Sequence, residues 1–406
     1  MPCLSPSASR FFLRWQAGAD ARAVALEFSA SPRTIQRLFA RFQSKGDAGV
    51  APDYPCCGQH QPGRAPQTLV EQFCQVRRDH PRWGSEMIRT ELKGEHGTLP
   101  CARTIRRHLS SAGLAPAPAG RPRLGHPRLP RADRPHQRWQ IDASEELLLK
   151  NKQRVCWLRV VDECSGAFLQ TLVFPVARWE HVDRHLIQDG MRRVFSCWGL
   201  PEQAQMDNGY PWGNSGDFPP EMALWVIGLG VEMFWIDPCC PQQNGVVERS
   251  QGTEQDWTEP GTCDGPEELQ SRCHAMDRRQ REDYPYRGGL SRLQVYPTLR
   301  HSGQKYSSRR EPSLWQARRA WEVVARQVVR RQVDCNGCVS VYNRGRYVGK
   351  QYIGTQVYVS LDPTGPTWVI ADESGRQLRT HAAEELAAER IRSLSVATRK
   401  GKRREA

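Results

Sequence analysis

Residues 139–144 read WQIDAS, residues 205–209 read QMDNG and residues 241–253 read PQQNGVVERSQGT. Each motif sits at a joint between elements that the surrounding pattern predicts. Trp139 to Ala143 is a short strand candidate. Arg154 to Val161 and Ala167 to Val176 are β-rich runs split by Cys164-Ser165-Gly166, a hairpin signal. Val182 to Trp198 reads as a helix with Leu186, Met191, Val194 and Phe195 among its apolar positions. Glu202 to Met206 is a strand, Pro219 to Leu229 a helix and Val231 to Trp235 a strand, and from Gln243 a helix runs to about Trp257. That order suits a mixed α/β sheet. Strands one and four can then be neighbours with the last helix across them. Asp142, Asp207 and Glu248 would share one edge, with 64 residues between the first two and 40 between the last two.

Three carboxylates at one edge repel and raise one another's pKa unless a cation sits among them. Hard oxygen donors with room for water and phosphate suit Mg²⁺ or Mn²⁺. Two such ions about 4 Å apart can activate an attacking oxygen and stabilise the leaving oxygen of a phosphodiester. The nearby acids Asp162, Glu163 and Asp237 lie in other motifs and read as loop residues. Trp212, Trp225 and Trp235 read as packing residues.

The three motifs in this order resemble the catalytic domain of DDE-type transposases and retroviral-like integrases, in particular the bacterial insertion-sequence branch. The resemblance covers roughly Pro135 to Pro297. It implies a ribonuclease H-like fold, with Asp142, Asp207 and Glu248 as catalytic residues and as ligands of Mg²⁺ (or Mn²⁺), two ions per site. It also implies hydrolysis at an element's end to free a 3′-hydroxyl, then transesterification into target DNA. Asn208, Gly209, Asn244 and Gly245 map onto the turns beside the second and third carboxylates. The implied partners are double-stranded DNA, as element terminal repeats and target, and further copies of the chain. Where many relatives carry a lysine shortly before the glutamate, this chain has Val246 and Val247, leaving Arg249 as the nearest cation. Arg281-Glu282-Asp283-Tyr284-Pro285-Tyr286-Arg287 stands where relatives often have Asn-x-x-Arg-Pro-His.

The flanks differ from this centre in charge. Lysine and arginine exceed aspartate and glutamate by 11 over residues 1–135 and by 10 over residues 301–406, whereas residues 136–300 carry a balance of −7. Basic arms around an acidic centre suit a chain that grips a polyanion. Two helical modules are expected on the N-terminal side, at 1–52 and 62–114. In the first, helices around Arg10 to Ala17 and Asp20 to Phe28 precede Ser31-Pro32, an N-cap with proline at the first helical position. Ile35, Leu38, Phe39 and Phe42 make one buried stripe in the helix that follows, and Gly46 closes it. Arg33, Thr34, Gln36, Arg37 and Arg41 remain as candidate DNA contacts. In the second module, Thr68 to His80, a helix from Ser85 and Cys101 to Ser110 offer Arg103, Thr104, Arg106 and Arg107 in the same role. Helix, tight turn and basic helix is the helix-turn-helix arrangement.

Residues 115–135 are a linker rich in proline and arginine. The catalytic core is placed at 136–298, and a small β-barrel at 320–392 from Val323 to Val333, Cys338 to Tyr342, Gly354 to Leu361 and Thr367 to Ala371. Residues 393–406 form a basic tail. The 14 cysteines have no framework spacing and are expected to be reduced thiols of a bacterial cytoplasmic, nucleoid-associated protein. Cys335-Asn336-Gly337-Cys338 reads as a hairpin turn. The longest nearly apolar run, Met222 to Val231, falls short of the roughly 20 residues of a bilayer span, so no membrane partner is expected. A catalytically inactive helix-turn-helix regulator is the main alternative, and a nuclease that cuts without joining is another.

Overall fold

The structure, a computed structural model, describes residues 13–14, 17–27, 29–46, 65–115, 131–213, 218–237 and 240–397. The chain forms two compact units, residues 1–71 and 72–406. In the first, α1 (Ala21–Glu27) packs on α2 (Pro32–Lys45) through Val24, Ala25, Ile35 and Phe39, with Leu38 and Phe42 beside them. The Ser31 side chain accepts a hydrogen bond from the Thr34 amide at 3.1 Å, and Gly46 ends α2 with φ 58°. Replacing Ser31 with Ala removes that cap, a loss of about 1 kcal/mol. Amide exchange at Thr34 and Ile35 should then quicken about fivefold, and unchanged protection would refute the cap. The helix expected around Arg10 to Ala17 lies mostly outside the described residues, as does most of the 115–135 linker.

The boundary between the units falls within α3 (Gln67–Asp79), which α4 (Ser85–Leu92) and α5 (Ala102–Ser111) follow. They bury Phe73, Met87, Ile88, Leu92, Ile105 and Leu109. A five-stranded sheet follows, of β1 (Arg138–Leu148), β2 (Arg154–Asp162), β3 (Ala167–Phe174), β4 (Gln203–Met206) and β5 (Glu232–Trp235). Its order is β3-β2-β1-β4-β5. β1 pairs antiparallel with β2 and parallel with β4. β2 is buried at every residue but its first, as expected of an apolar strand covered on both faces. Helices α6 (Arg184–Trp198), α7 (Glu221–Gly228), α8 (Gly245–Thr258) and α9 (Pro266–Glu282) flank the sheet. All eight residues of α7 are buried, in keeping with a helix apolar all round. The sequence reading missed α9, whose mean composition is too polar to announce a buried helix.

The helical module is seated on α8 and α9. The Trp83 indole donates to the Trp257 carbonyl at 3.1 Å, His80 Nδ1 lies 2.9 Å from Glu259 Oε2, Arg82 pairs with Asp256 and Arg279 with Glu91.

The closed C-terminal barrel expected from the sequence is not formed. Helix α10 (Ala317–Ala325) occupies the start of the segment read as the strand Val323 to Val333, and β6 begins only at Val329. β11 (Gln377–Ala382), β10 (Thr367–Ala371), β9 (Gln356–Asp362) and β6 (Val329–Gln332) make an open four-stranded sheet. β7 (Cys338–Val341) and β8 (Arg344–Tyr347) form a separate hairpin, so the strands never close on themselves. Cys335 and Cys338 lie in a turn headed by Asp334, whose carboxylate accepts from the Asn336 and Cys338 amides, and both thiols are free. No disulfide occurs among the described residues. No helix among them is long and apolar enough to cross a membrane.

Candidate active site

The parallel pairing of β1 with β4 sets Gln140 opposite Gln205. Two residues further along come Asp142, still within β1, and Asp207, just after β4, both just past the stretch where the two strands pair. Helix α8 is tied across that edge by glutamines. Gln140, itself buried, accepts from the Val246 and Val247 amides at 3.1 Å and donates to the Gln243 carbonyl at 3.0 Å. Gln205 donates to the same carbonyl at 2.7 Å. These bonds satisfy amides of the first helical turn, which have no partner inside the helix. Glu248, Gln251 and Gln255 then share one helix face at i, i+3 and i+7. Gln251 donates to Asp142 Oδ2 at 3.2 Å while accepting from the Trp157 indole at 2.5 Å, and Gln255 donates to Ser144 at 3.3 Å. That face looks onto β1, which sets Glu248 one turn upstream of the contact with Asp142.

The electrostatics follow from this placement. Asp142 is partly buried, and its carboxyl is pushed up to about 6, mainly by burial and further by the charges of Asp207 and Glu248 against the Gln251 hydrogen bond. Burial also raises Glu248. None of the three has an ion-pair partner among the described residues. Nor are any three His, Cys, Asp or Glu side chains there already gathered as a metal cage. The donors are all hard carboxylate oxygens that no cation among the described residues pairs with, which fits a divalent cation.

The turns beside the site behave individually. Asn208 donates to the Ile236 carbonyl at 2.7 Å. A Cβ on Gly209 would stand 2.8 Å from Asp207 Oδ2, so only glycine leaves that carboxylate its position. Gly209→Ala should therefore turn the exposed Asp207 side chain aside without unfolding anything. A displacement of about 1 Å can cost on the order of 10²-fold in rate. Under the function proposed below, the rate should fall 10–100-fold with the melting temperature kept, and an unchanged rate would contradict the placement. Asn244 is buried, and its Oδ1 has no hydrogen-bond partner among the described residues. Gly245 opens α8 with open space where a Cβ would go. Arg249 is exposed and makes no side-chain contact with a carboxylate among those residues.

Asp162 and Glu163, set aside on motif grounds, have structural duties. Asp162 is buried and accepts from the His136 amide and from Ser165, and Glu163 holds Gln140. Asp237 is fixed by Gln243. Trp212 and Trp225 are fully buried, and the Trp235 indole donates to the Trp212 carbonyl. The sequence reading passed over Gln140, Gln205 and Gln251. Polar residues between apolar strand neighbours, and a glutamine three residues after the glutamate, were the available signals.

Of the candidate DNA contacts, Arg33, Thr34, Gln36, Arg37 and Arg41 are exposed on α2. On α5, Arg103, Arg106 and Arg107 are exposed and Thr104 is partly buried.

Residues 34–109 match the family of homeodomain-like domains. In shape the chain is similar to a chain of a simian T-cell lymphotropic virus intasome complex, with a TM-score of 0.34, 14% identity, and coverage of 55% of this chain and 73% of that one. It is similar to the HTLV-2 integrase catalytic core domain in complex with magnesium (TM-score 0.30, 18% identity, 40% and 97% covered). The BIV integrase catalytic core domain gives a TM-score of 0.29 at 18% identity, with 40% and 94% covered. Likenesses this partial establish no activity, which has to be argued from the side chains.

Proposed function

We propose that the chain is a DNA strand-transfer enzyme of the transposase and integrase type. The observation that supports this reading is Asp142, partly buried and acted on by the charges of Asp207 and Glu248 without an ion-pair partner among the described residues, in a chain whose flanks are basic. A protein that only binds DNA gains nothing from clustered acids facing a polyanion. Asp142, Asp207 and Glu248 would hold the Mg²⁺ or Mn²⁺ ions, whose chemistry is to acidify an attacking hydroxyl or water and to neutralise charge on phosphate oxygens. Gln251 orients Asp142 by its hydrogen bond, and Gln140 and Gln205 fix the helix that carries Glu248.

The reaction has two steps. Water attacks a phosphorus at the element's end, the P–O bond to the neighbouring 3′-oxygen breaks, and that oxygen leaves as a 3′-hydroxyl. The freed hydroxyl then attacks a phosphorus in target DNA, making one phosphodiester as another breaks. The arginines of α2 and α5 supply phosphate and base contacts whose affinity falls steeply with salt. Two ends must be held at once, so a multimer of the chain is the working form.

A strand-transfer assay with labelled element ends and Mg²⁺ or Mn²⁺ tests this. Joined products are expected. Cut products without joining would mark a nuclease, and tight binding without cleavage a regulator.

A further inference from the structure

A second cavity, of about 270 Å³, lies on the flank of α8 away from the Asp142 contact. It is bounded by the β2–β3 turn, the outer side of α8 and the segment after α9. Its walls are aromatic. Phe168 and Trp257 have ring centroids 6.1 Å apart, and Trp257 and Tyr284 4.9 Å. Tyr286 lies under the Arg292 guanidinium at 4.6 Å. Besides Arg131, two cations line it, and no carboxylate does. Arg249 has no ion pair among the described residues. Arg292 is held only by the carbonyls of Ser165 and Gln280, and burial lowers its pKa to about 10.

These features select the occupant. The volume lies below the roughly 300–1,000 Å³ clefts that take drug-sized ligands, so it suits one ring system. A wholly apolar guest would leave two guanidiniums uncompensated. A planar heteroaromatic ring joined to phosphate satisfies both walls and cations, because bases out of the stack are held on aromatic faces and arginine planes. The position adds a reason. Arg249 follows Glu248 directly, and Trp257 anchors the helical module through Trp83, so the cavity adjoins both the candidate site and that module.

We propose that the cavity receives one unstacked nucleobase of the DNA being processed, stacked against Tyr286, Tyr284 and Trp257, with Arg249 and Arg292 meeting the adjoining phosphate. Extruding a base costs least at a frayed or single-stranded end. The site would therefore favour ends already opened beside the cut.

The inference rests on the strand-transfer reading, yet its test needs no catalysis. The full chain in chelator is mixed with a short duplex whose single-stranded overhang carries 5-iodouracil, irradiated, and the linked peptides are identified by mass spectrometry. A free 5-iodouracil nucleotide serves as a second probe. Links from the overhang at Trp257, Tyr284 or Tyr286 are expected, and Tyr286→Leu should weaken overhang binding fivefold or more while fully paired duplex binds as before. Links confined to α2 and α5 would overturn the proposal. So would links made by the free nucleotide and not by the overhang, or an equal loss of overhang and duplex binding in the variant. A chain that links through the pocket but never joins strands keeps the pocket and loses the strand-transfer reading. One that joins strands but links elsewhere does the reverse.

Discussion

Asp142→Asn should abolish DNA cleavage and joining while making the protein harder to unfold at neutral pH. The first half follows from losing one of three donors. Metal assistance is worth several kcal/mol, so a loss on the order of 10³-fold or more is expected. The second half follows from the carboxyl itself. It titrates near 6 in the fold against 3.8 for the ordinary group, because burial and the charges of Asp207 and Glu248 disfavour the anion. A carboxyl whose pKa is raised on folding helps stability fully below about pH 4, and that help is lost as the pH rises through about 6. The difference corresponds to about 2–3 kcal/mol at pH 7. Asparagine keeps the shape and carries no charge, so the metal-free variant should melt a few degrees higher at pH 7 and within error of the parent at pH 4. A melting temperature independent of pH in both proteins would sink the electrostatic account, and retained joining would sink the assignment of Asp142.

Much of the framework around these carboxylates was legible in the sequence itself. Strand periodicity around Trp139 and Ala204 and the apolar run of β2 fixed the neighbours, and the order of elements put β1 beside β4 under α8. The helix boundaries near Ser31 and Gly46 were equally readable, because capping chemistry is local and the structure retains it. What escaped depended on distant partners. Val323 to Val333 is rich in β-branched residues, yet its first part is helical, with Ala320 and Val324 buried on one face. Helix α9 is mostly polar by composition, and its inward Asp277, Gln280 and Arg281 find hydrogen-bond partners on the distant strand β3. The barrel failed because short strands and tight turns specify hairpins, whereas closure depends on a pairing between first and last strands that no local pattern encodes.

The same long-range chemistry governs the largest stability effect we expect. Asp142 stands opposite Arg159 in the antiparallel register, so both side chains lie on the face covered by α8. Arg159 is almost wholly buried. Its Nε donates to Ser250 at 3.0 Å and its Nη1 to Thr171 at 2.7 Å, with Glu254 Oε2 at 3.2 Å and Asp277 Oδ1 at 3.7 Å. One guanidinium therefore knots β2, β3, α8 and α9 together. Burial raises the Glu254 carboxyl to about 8 even beside Arg159, and it raises Asp277 as well. At neutral pH the Glu254 carboxyl is protonated, so removing the cation strands chiefly the Asp277 charge with Arg281 left to offset it, and breaking a buried pair in this way costs about 3–5 kcal/mol. Arg159→Met should lower the denaturant midpoint of the second unit accordingly, followed by the fluorescence of buried Trp139, Trp157 and Trp225. Arg159→Met combined with Asp277→Asn should recover part of the loss, because the stranded charge is then gone. A single variant costing under about 1 kcal/mol, or a double variant no better than the single, would show that the knot contributes little. Since Ser250 and Glu254 sit within two turns of Glu248, the weakened protein should also lose joining before it loses duplex binding by α2, the expected order if Arg159 seats the catalytic helix.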